Sequence, residues 1–540
     1  MTAPPWRMSC RLVAVAWAVA LCLVPSVHAQ DSSPAPAVTL PLTRDDVAFL
    51  ALLNSRDLKV ERFAGKLAER ELPTERAAFH PFISMEASMA ESKSLAGSSL
   101  AGSDSPFLGT TAWSAGIRNR LVSGATASVD YVSNRVLSNS SFFTLNPQFQ
   151  SSVVFGLTQP LLKGFGPAVN TWRIKVAGNQ VRIAHYQLQA RVSSVLAEAE
   201  NTYWDLAMAS KNLEIRGRAL ELTRQLARRT EELVSEGILA ETALLQARTS
   251  VLQRDADLVV AKNMRQEAER RLRDLLNFAP EDAPSLVALD EPSPEARNVD
   301  VAQAVKDALS HRPELSQAEL DLKNKELALL FAKNQVLPQL NFFSSYGLTG
   351  LSGTPVPQSQ TATVTIPIIN NISITRDVTI TSASAPPRAA GGYWTAVHNL
   401  LSADFPTWKV GFNLSFPLGN VAAQSQLEKA ELEKRRSELV AKNVERAIAI
   451  GVEGLGAQLQ STFNVIQVAR AVREQVQQRL DVTREKFQLG LASVSEVIEA
   501  QRDLVTSEQD EWRAIIDYNK VFVLFEQATG ALLAKYRVDL

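Results

Sequence analysis

The sequence contains one pattern twice: an alternating strand, a proline, then a very long helix turned back at a glycine. Val153, Phe155 and Leu157 alternate with small or polar residues before Pro160, as Val410, Phe412 and Leu414 do before Pro417. Further along, Gly237-Ile238-Leu239-Ala240-Glu241-Thr242 takes the place that Gly490-Leu491-Ala492-Ser493-Val494-Ser495 takes in the second copy. From Pro81/Pro338 to Pro160/Pro417 the copies are offset by 257 residues, and from the glycines onward by 253. The four residues lost inside the long helix are roughly one helical turn, which largely keeps the face turned to a neighbour. A duplicated strand-plus-helix unit that cannot bury its own surface predicts an assembled, hollow architecture rather than a globular enzyme.

Arg7 and Arg11 precede an apolar run from Leu12 to Val24, and Val27-His28-Ala29 places small residues at the cleavage positions. The run is too short to anchor in a bilayer, so residues 1–29 are expected to be a secretory signal peptide. Cys10 and Cys22, the chain's two cysteines, both fall inside it. Leu21 stands where a lipid-attachment site needs a small residue, so lipidation is not expected and the mature chain would hold no thiol. No later stretch has the roughly 20 apolar residues of a membrane helix. A membrane crossing would therefore have to be a β-barrel. A formal charge of −1 gives no reason to expect nucleic acid.

The fold expected is an α+β membrane protein, internally duplicated, with strands feeding long helices. A mobile leader (30–42) precedes the first repeat (43–278), a Pro-rich linker (279–298), the second repeat (299–530) and a C-terminal tail (531–540). Thr43 is a plausible N-cap for a helix running to Phe79, with Asp45 and Asp46 in its first turn. Ile83 to Met89 alternates with period two, as a barrel stave would. The matching strand of the second repeat opens with Leu340, Phe342 and Tyr346 after Pro338. Two further alternating pairs, at 111–132 and 363–380, read as extra hairpins and are expected to be loops rather than staves. Unbroken helix is expected from Ala168 to about Ser235 and from Val421 to Leu489. About 68 residues at ~1.5 Å each make a rod on the order of 100 Å, which implies coiled-coil packing. The four expected strands are too few to close a barrel, so subunits must share it.

Phe487-Gln-Leu-Gly490-Leu-Ala-Ser-Val-Ser-Glu496-Val-Ile-Glu499-Ala500-Gln501 is the most specific stretch. With Leu157-Thr-Gln-Pro160-Leu-Leu and Leu414-Ser-Phe-Pro417-Leu, it resembles the tips and strand-to-helix junctions of the TolC-type outer-membrane efflux duct family. The likeness runs over nearly the whole mature chain. It implies a homotrimer in the outer membrane: four strands per chain closing a twelve-stranded transmembrane barrel, and helices continuing as a periplasmic coiled-coil barrel. It implies an exit duct for tripartite efflux or type I secretion, joined through a periplasmic adaptor to an inner-membrane pump of RND, ABC or MFS type. The helix tips, Gly237, Ile238, Leu239, Phe487, Gly490, Leu491 and Ser493, would dock that adaptor. Read without the family, the glycines permit left-handed turns and the leucines cap the coil.

Glu496 and Glu499 lie i, i+3 on one helix face just past the tip. In the resembled family these positions ring the periplasmic mouth, where repeated carboxylates would favour cations. The plain alternative is a solvated acidic face. Some relatives lock the mouth with an arginine and an aspartate at the places of Ala492 and Ala243, so closure here would use Phe487 or apolar tip residues. His80, His185, His311 and His398 are isolated and lack metal-ligand spacing. Gly164 and Gly166 fit a bend from stave to rod better than a phosphate loop. Neither a catalytic set nor a cofactor is expected, and the competing class is a non-transporting coiled-coil tether or adhesin.

Overall fold

A computed structural model describes residues 39–97, 102–278, 285–293, 295–297, 299–368, 372–382 and 385–537. The expected signal peptide, Cys10, Cys22 and the leader up to residue 38 lie outside the described residues, as do parts of the linker and the last three residues. The chain opens with β1 (Thr39–Leu42), α1 (Arg44–Asn54) and α2 (Arg56–Ala77). Four strands follow: β2 (Phe82–Lys93), β3 (Phe107–Arg120), β4 (Thr126–Ser138) and β5 (Leu145–Pro160). Short α3 (Pro167–Asn170) leads into α4 (Trp172–Ser235), and α5 (Glu241–Leu275) returns along it. The second half repeats the plan with β6 (Ser285–Ala288), α6 (Val301–His311), α7 (Pro313–Gln335) and β7 (Gln339–Pro355). An inserted hairpin, β8 (Gln358–Ile368) and β9 (Ile372–Ser382), and a short helix, α8 (Tyr393–Leu401), precede β10 (Pro406–Ser415). The chain ends in α9 (Val421–Gln488), α10 (Val494–Thr529) and α11 (Ala531–Lys535).

Thr43 caps α1 through a full capping box, its side chain accepting from Asp46 N while Asp46 accepts from the Thr43 backbone. The helix expected from Thr43 to Phe79 is two helices. Ser55 leaves helical geometry (φ −55°, ψ 122°) and its hydroxyl caps α2 through Leu58 N. The second repeat breaks at the equivalent place, Arg312 (φ −72°, ψ 121°), which Pro313 holds extended. These two positions share no residue type, which is why the shared break was not legible.

One six-stranded antiparallel sheet has the order β10-β7-β5-β4-β3-β2. This corrects the expected four strands. The hairpin expected as a loop at 111–132 forms β3 and β4, which sit inside the sheet between β2 and β5. Their signal was diluted because Ser, Thr and Gly occur on both faces of these strands. The other hairpin, β8 with β9, forms a separate two-stranded sheet. Register separates the main sheet into two faces. Met85, Ala115, Tyr131, Val153, Leu348 and Pro406 share one row, and Ile83, Val129, Phe155, Tyr346 and Trp408 continue that apolar face. Ser84, Glu86, Ser114, Asp130, Ser152, Ser345 and Lys409 lie on the opposite, polar face. The edge strands β2 and β10 run in opposite directions, and among the described residues each has one flank unpaired.

The main core sits at the waist of the helices, where Leu58, Leu196, Tyr203, Leu206, Leu272, Leu286 and Leu532 are fully enclosed. The segments expected to be a mobile leader, a linker and a C-terminal tail all contribute to it. Leader residues Thr39–Leu42 pair in parallel with β6 from the linker. The tail forms α11, with Leu532 in the core. Further along the linker, Tyr518 OH donates to Glu295 O and accepts from Arg297 N, fastening it to α10. Among the described residues, no helix is long and apolar enough to cross a membrane.

Candidate functional site

Both long helices end in the same reverse turn. At the first, Gly237 N donates to Val234 O (3.0 Å) and Ile238 N to Leu233 O (2.9 Å). At the second, Gly490 N donates to Phe487 O (3.0 Å) and Leu491 N to Lys486 O (2.8 Å). Each is a Schellman closure that requires a left-handed residue, and glycine supplies it at φ +76° and +75°. The restarts differ. Ser493 caps α10 in a capping box with Glu496, whereas Ala240 caps α5 with no side-chain bond.

Although 253 residues apart, the two tips pack together. Leu226, Ala247, Phe487, Val494 and Val497 are buried as one cluster, with Leu239, Ala243 and Ala492 against them. Ala243 and Ala492 thus take part in an apolar contact between the two tips. Ile238, Leu489 and Leu491 point outward, strongly exposed. Glu496 and Glu499 are both exposed on the first turns of α10. They are not equivalent: Glu496 Oε1 accepts from Ser493 Oγ (2.9 Å) and from Ser493 N (3.4 Å), so one of its oxygens is engaged at home.

At the other end, Pro160 and Pro417 stand where strand becomes helix. After Pro160 the chain stays tied to the second repeat: Leu161 N donates to Leu340 O (2.7 Å) and Gly164 N to Asn334 Oδ1 (2.6 Å). Gly164 and Gly166 adopt φ +81° and +97°, and Asn170 Nδ2 donates to both their carbonyls, which makes the bend. After Pro417, Asn420 is left-handed (φ 41°) and its Nδ2 donates to Val336 O (2.9 Å).

A buried polar group at the waist was invisible in the sequence. Glu200, fully enclosed on α4, accepts from Tyr536 OH (2.7 Å) and Lys535 Nζ (3.1 Å), with Arg44 Nε at 3.7 Å. Burial, then the Glu200 charge, holds the Tyr536 phenol well above its usual range. Nearby, Tyr203 OH donates to Asp290 Oδ2 (3.1 Å) and accepts from Asp290 N (2.8 Å). Its partners lie tens to hundreds of residues away, so no spacing could have revealed the group.

The family model described as "Outer membrane efflux protein" matches residues 48–277 and 304–530. No curated protein matches the chain. Among solved structures, the Campylobacter jejuni CmeC outer membrane channel aligns at 16% identity, covering 90% of this chain and 85% of that one, with a TM-score of 0.58. The Vibrio cholerae outer membrane protein VceC aligns at 14% identity over 90% and 96% of the two chains, TM-score 0.60. The Neisseria gonorrhoeae MtrE outer membrane channel, in its open state, aligns at 14% over 90% and 88%, TM-score 0.57. At such identities the likeness establishes the fold.

Proposed function

Because the chain belongs to the outer membrane efflux protein family, we propose that it is the passive exit duct of a tripartite efflux or type I secretion system. The observation that carries this reading is the six-stranded sheet, apolar on one face and polar on the other, mounted on helices of 64 and 68 residues. Six strands cannot close a barrel when the smallest have about eight. The free flanks of β2 and β10 are therefore where copies join. Three copies, the number the family resemblance brings, would give eighteen staves rather than twelve. The apolar face then meets outer-membrane lipid, the polar face lines water, and the helices extend the lumen through the periplasm.

In this reading the exposed tip residues Ile238, Leu489 and Leu491 dock a periplasmic adaptor, through which an inner-membrane pump of RND, ABC or MFS type supplies the energy. Glu496 and Glu499 ring the mouth, and the Phe487 cluster with Ala243 and Ala492 holds the tips in register. The test is conductance of the purified protein in planar bilayers. Ion-conducting steps are expected; a tether would leave the membrane electrically silent and end the proposal.

A further inference from the structure

Near the upper end of β7, the outward face of the sheet turns to small and polar residues on β4, β5 and β7, beside Trp113 and Phe149. Ser133, Ser151 and Ser352 follow Tyr131, Val153 and Leu348 on the same face. These serines are enclosed, Ser151 and Ser352 completely. What encloses them is α8, which lies flat on β7 and β5. Gly350 makes room for it, since a Cβ there would fall 2.0 Å from Ala396 O and 2.4 Å from Leu400 N. Ser352 Oγ donates to Gly392 O (2.7 Å), Asn399 Nδ2 donates to Leu351 O (3.0 Å), and the Tyr131 and Tyr393 hydroxyls meet at 2.8 Å. The helix is therefore fixed to the sheet, with Ala396 and Leu400 inward.

Its other side is apolar and bare. Trp394 is 78% exposed and Leu401 75%, with Phe405 just beyond. Trp394 belongs to an aromatic group with Tyr393, Trp113 and Tyr131, whose neighbouring ring centroids lie 4.8 to 6.0 Å apart. From Leu340 to Gly350 is roughly 33 Å along the strand at ~3.3 Å per residue. With a stave tilt of about 40° that is ~25 Å of height, the thickness of the apolar band of an outer-membrane barrel. So α8 lies at the upper border of the band, where aromatic side chains anchor barrels. It packs mainly on β7, the strand next to the edge strand β10, and reaches over β5, with its exposed side turned away from the sheet.

We propose that α8 is an interfacial helix, seating Trp394, Leu401 and Phe405 at the headgroup–acyl boundary of the outer-leaflet lipid and replacing the sheet as the lipid-contacting surface at that height. The inference rests on the duct reading, because that reading makes this face of the sheet the lipid side. An amphipathic helix in this position buries its apolar side by about 5–10 Å. Being pinned to the barrel wall, it would also fix how deep the barrel sits.

Site-directed spin labelling of the full chain in phosphatidylcholine vesicles tests this, in a background with Cys10 and Cys22 changed to serine. Labels are placed singly at Trp394→Cys and Leu401→Cys, with Phe155→Cys in the apolar band and Asp104→Cys in an exposed loop as references. Both α8 labels are expected to favour oxygen over a water-soluble nickel chelate, at a depth between the two references. Nickel accessibility equal to that at Asp104, with Phe155 protected, overturns the inference and leaves the duct intact. A nickel-accessible Phe155 removes the duct reading and this inference together. Because Trp394 and Leu401 face away from the protein, substitution leaves the packing of α8 on the sheet in place.

Discussion

Tyr203 joins three chain segments through one hydroxyl, and that makes its titration measurable. Burial pushes the phenol up to about 12, the backbone bond from Asp290 N opposing and the Asp290 charge reinforcing the shift. The raised value means the folded state holds the proton more tightly. Its stabilisation is complete below the unfolded value near 10 and is lost as pH rises through about 12. Tyr203→Phe is expected to cost roughly 1–2 kcal/mol at neutral pH, by stranding Asp290 N, and to remove that alkaline loss. Denaturant unfolding between pH 9 and 12 compares the two. Glu200→Gln should be costlier, about 2 kcal/mol or more, since it leaves Lys535 and Arg44 facing a neutral amide; thermal unfolding in detergent reads it. At the mouth, Glu496→Gln is a clean charge probe because glutamine still completes a capping box with Ser493. If Glu496 and Glu499 gate the mouth, changing both to Gln should lower cation preference; unchanged reversal potentials across a salt gradient would exclude them.

The two tips are nearly the same element built with different finishing residues. Replacing Gly237 or Gly490 by alanine forces a left-handed Cβ and is expected to cost ~1–2 kcal/mol at each turn. Ser493→Ala should loosen the second tip by about 1 kcal/mol, while Ala240→Ser, at a residue already extended (φ −72°, ψ 150°), should tighten the first by a similar amount. Hydrogen exchange of the tip amides reports all four, and a null effect at Ala240 would mean that the cap geometry is unfavourable. Long helices, glycine turns and proline junctions were legible because each is set by local chemistry. The split at Ser55 was not, since that helix could run on by propensity alone, whereas Pro313 is itself a local signal for the break after Arg312. Strands β3 and β4 were half legible: their alternation was visible, but their place in the sheet depends on partners across the fold. The tip residues could be named from spacing, whereas their joint burial around Phe487 needed the fold.

At the scale of the whole molecule the sheet is unfinished, and its bare flanks should find each other. Cysteines scanned along β2 and β10 are expected to crosslink copies in an antiparallel register, giving a closed oligomer on a denaturing gel. Failure of every pair would place the seam elsewhere. The even number of strands per chain has a consequence for which rings can exist. With its first and last strands opposed, each copy presents to the next a neighbour of the correct sense, so the up-and-down alternation survives any count of protomers, odd or even. A chain with five or seven strands would set two parallel strands side by side at every seam, whatever the size of the ring. Parity alone therefore leaves a three-membered ring open to this protein.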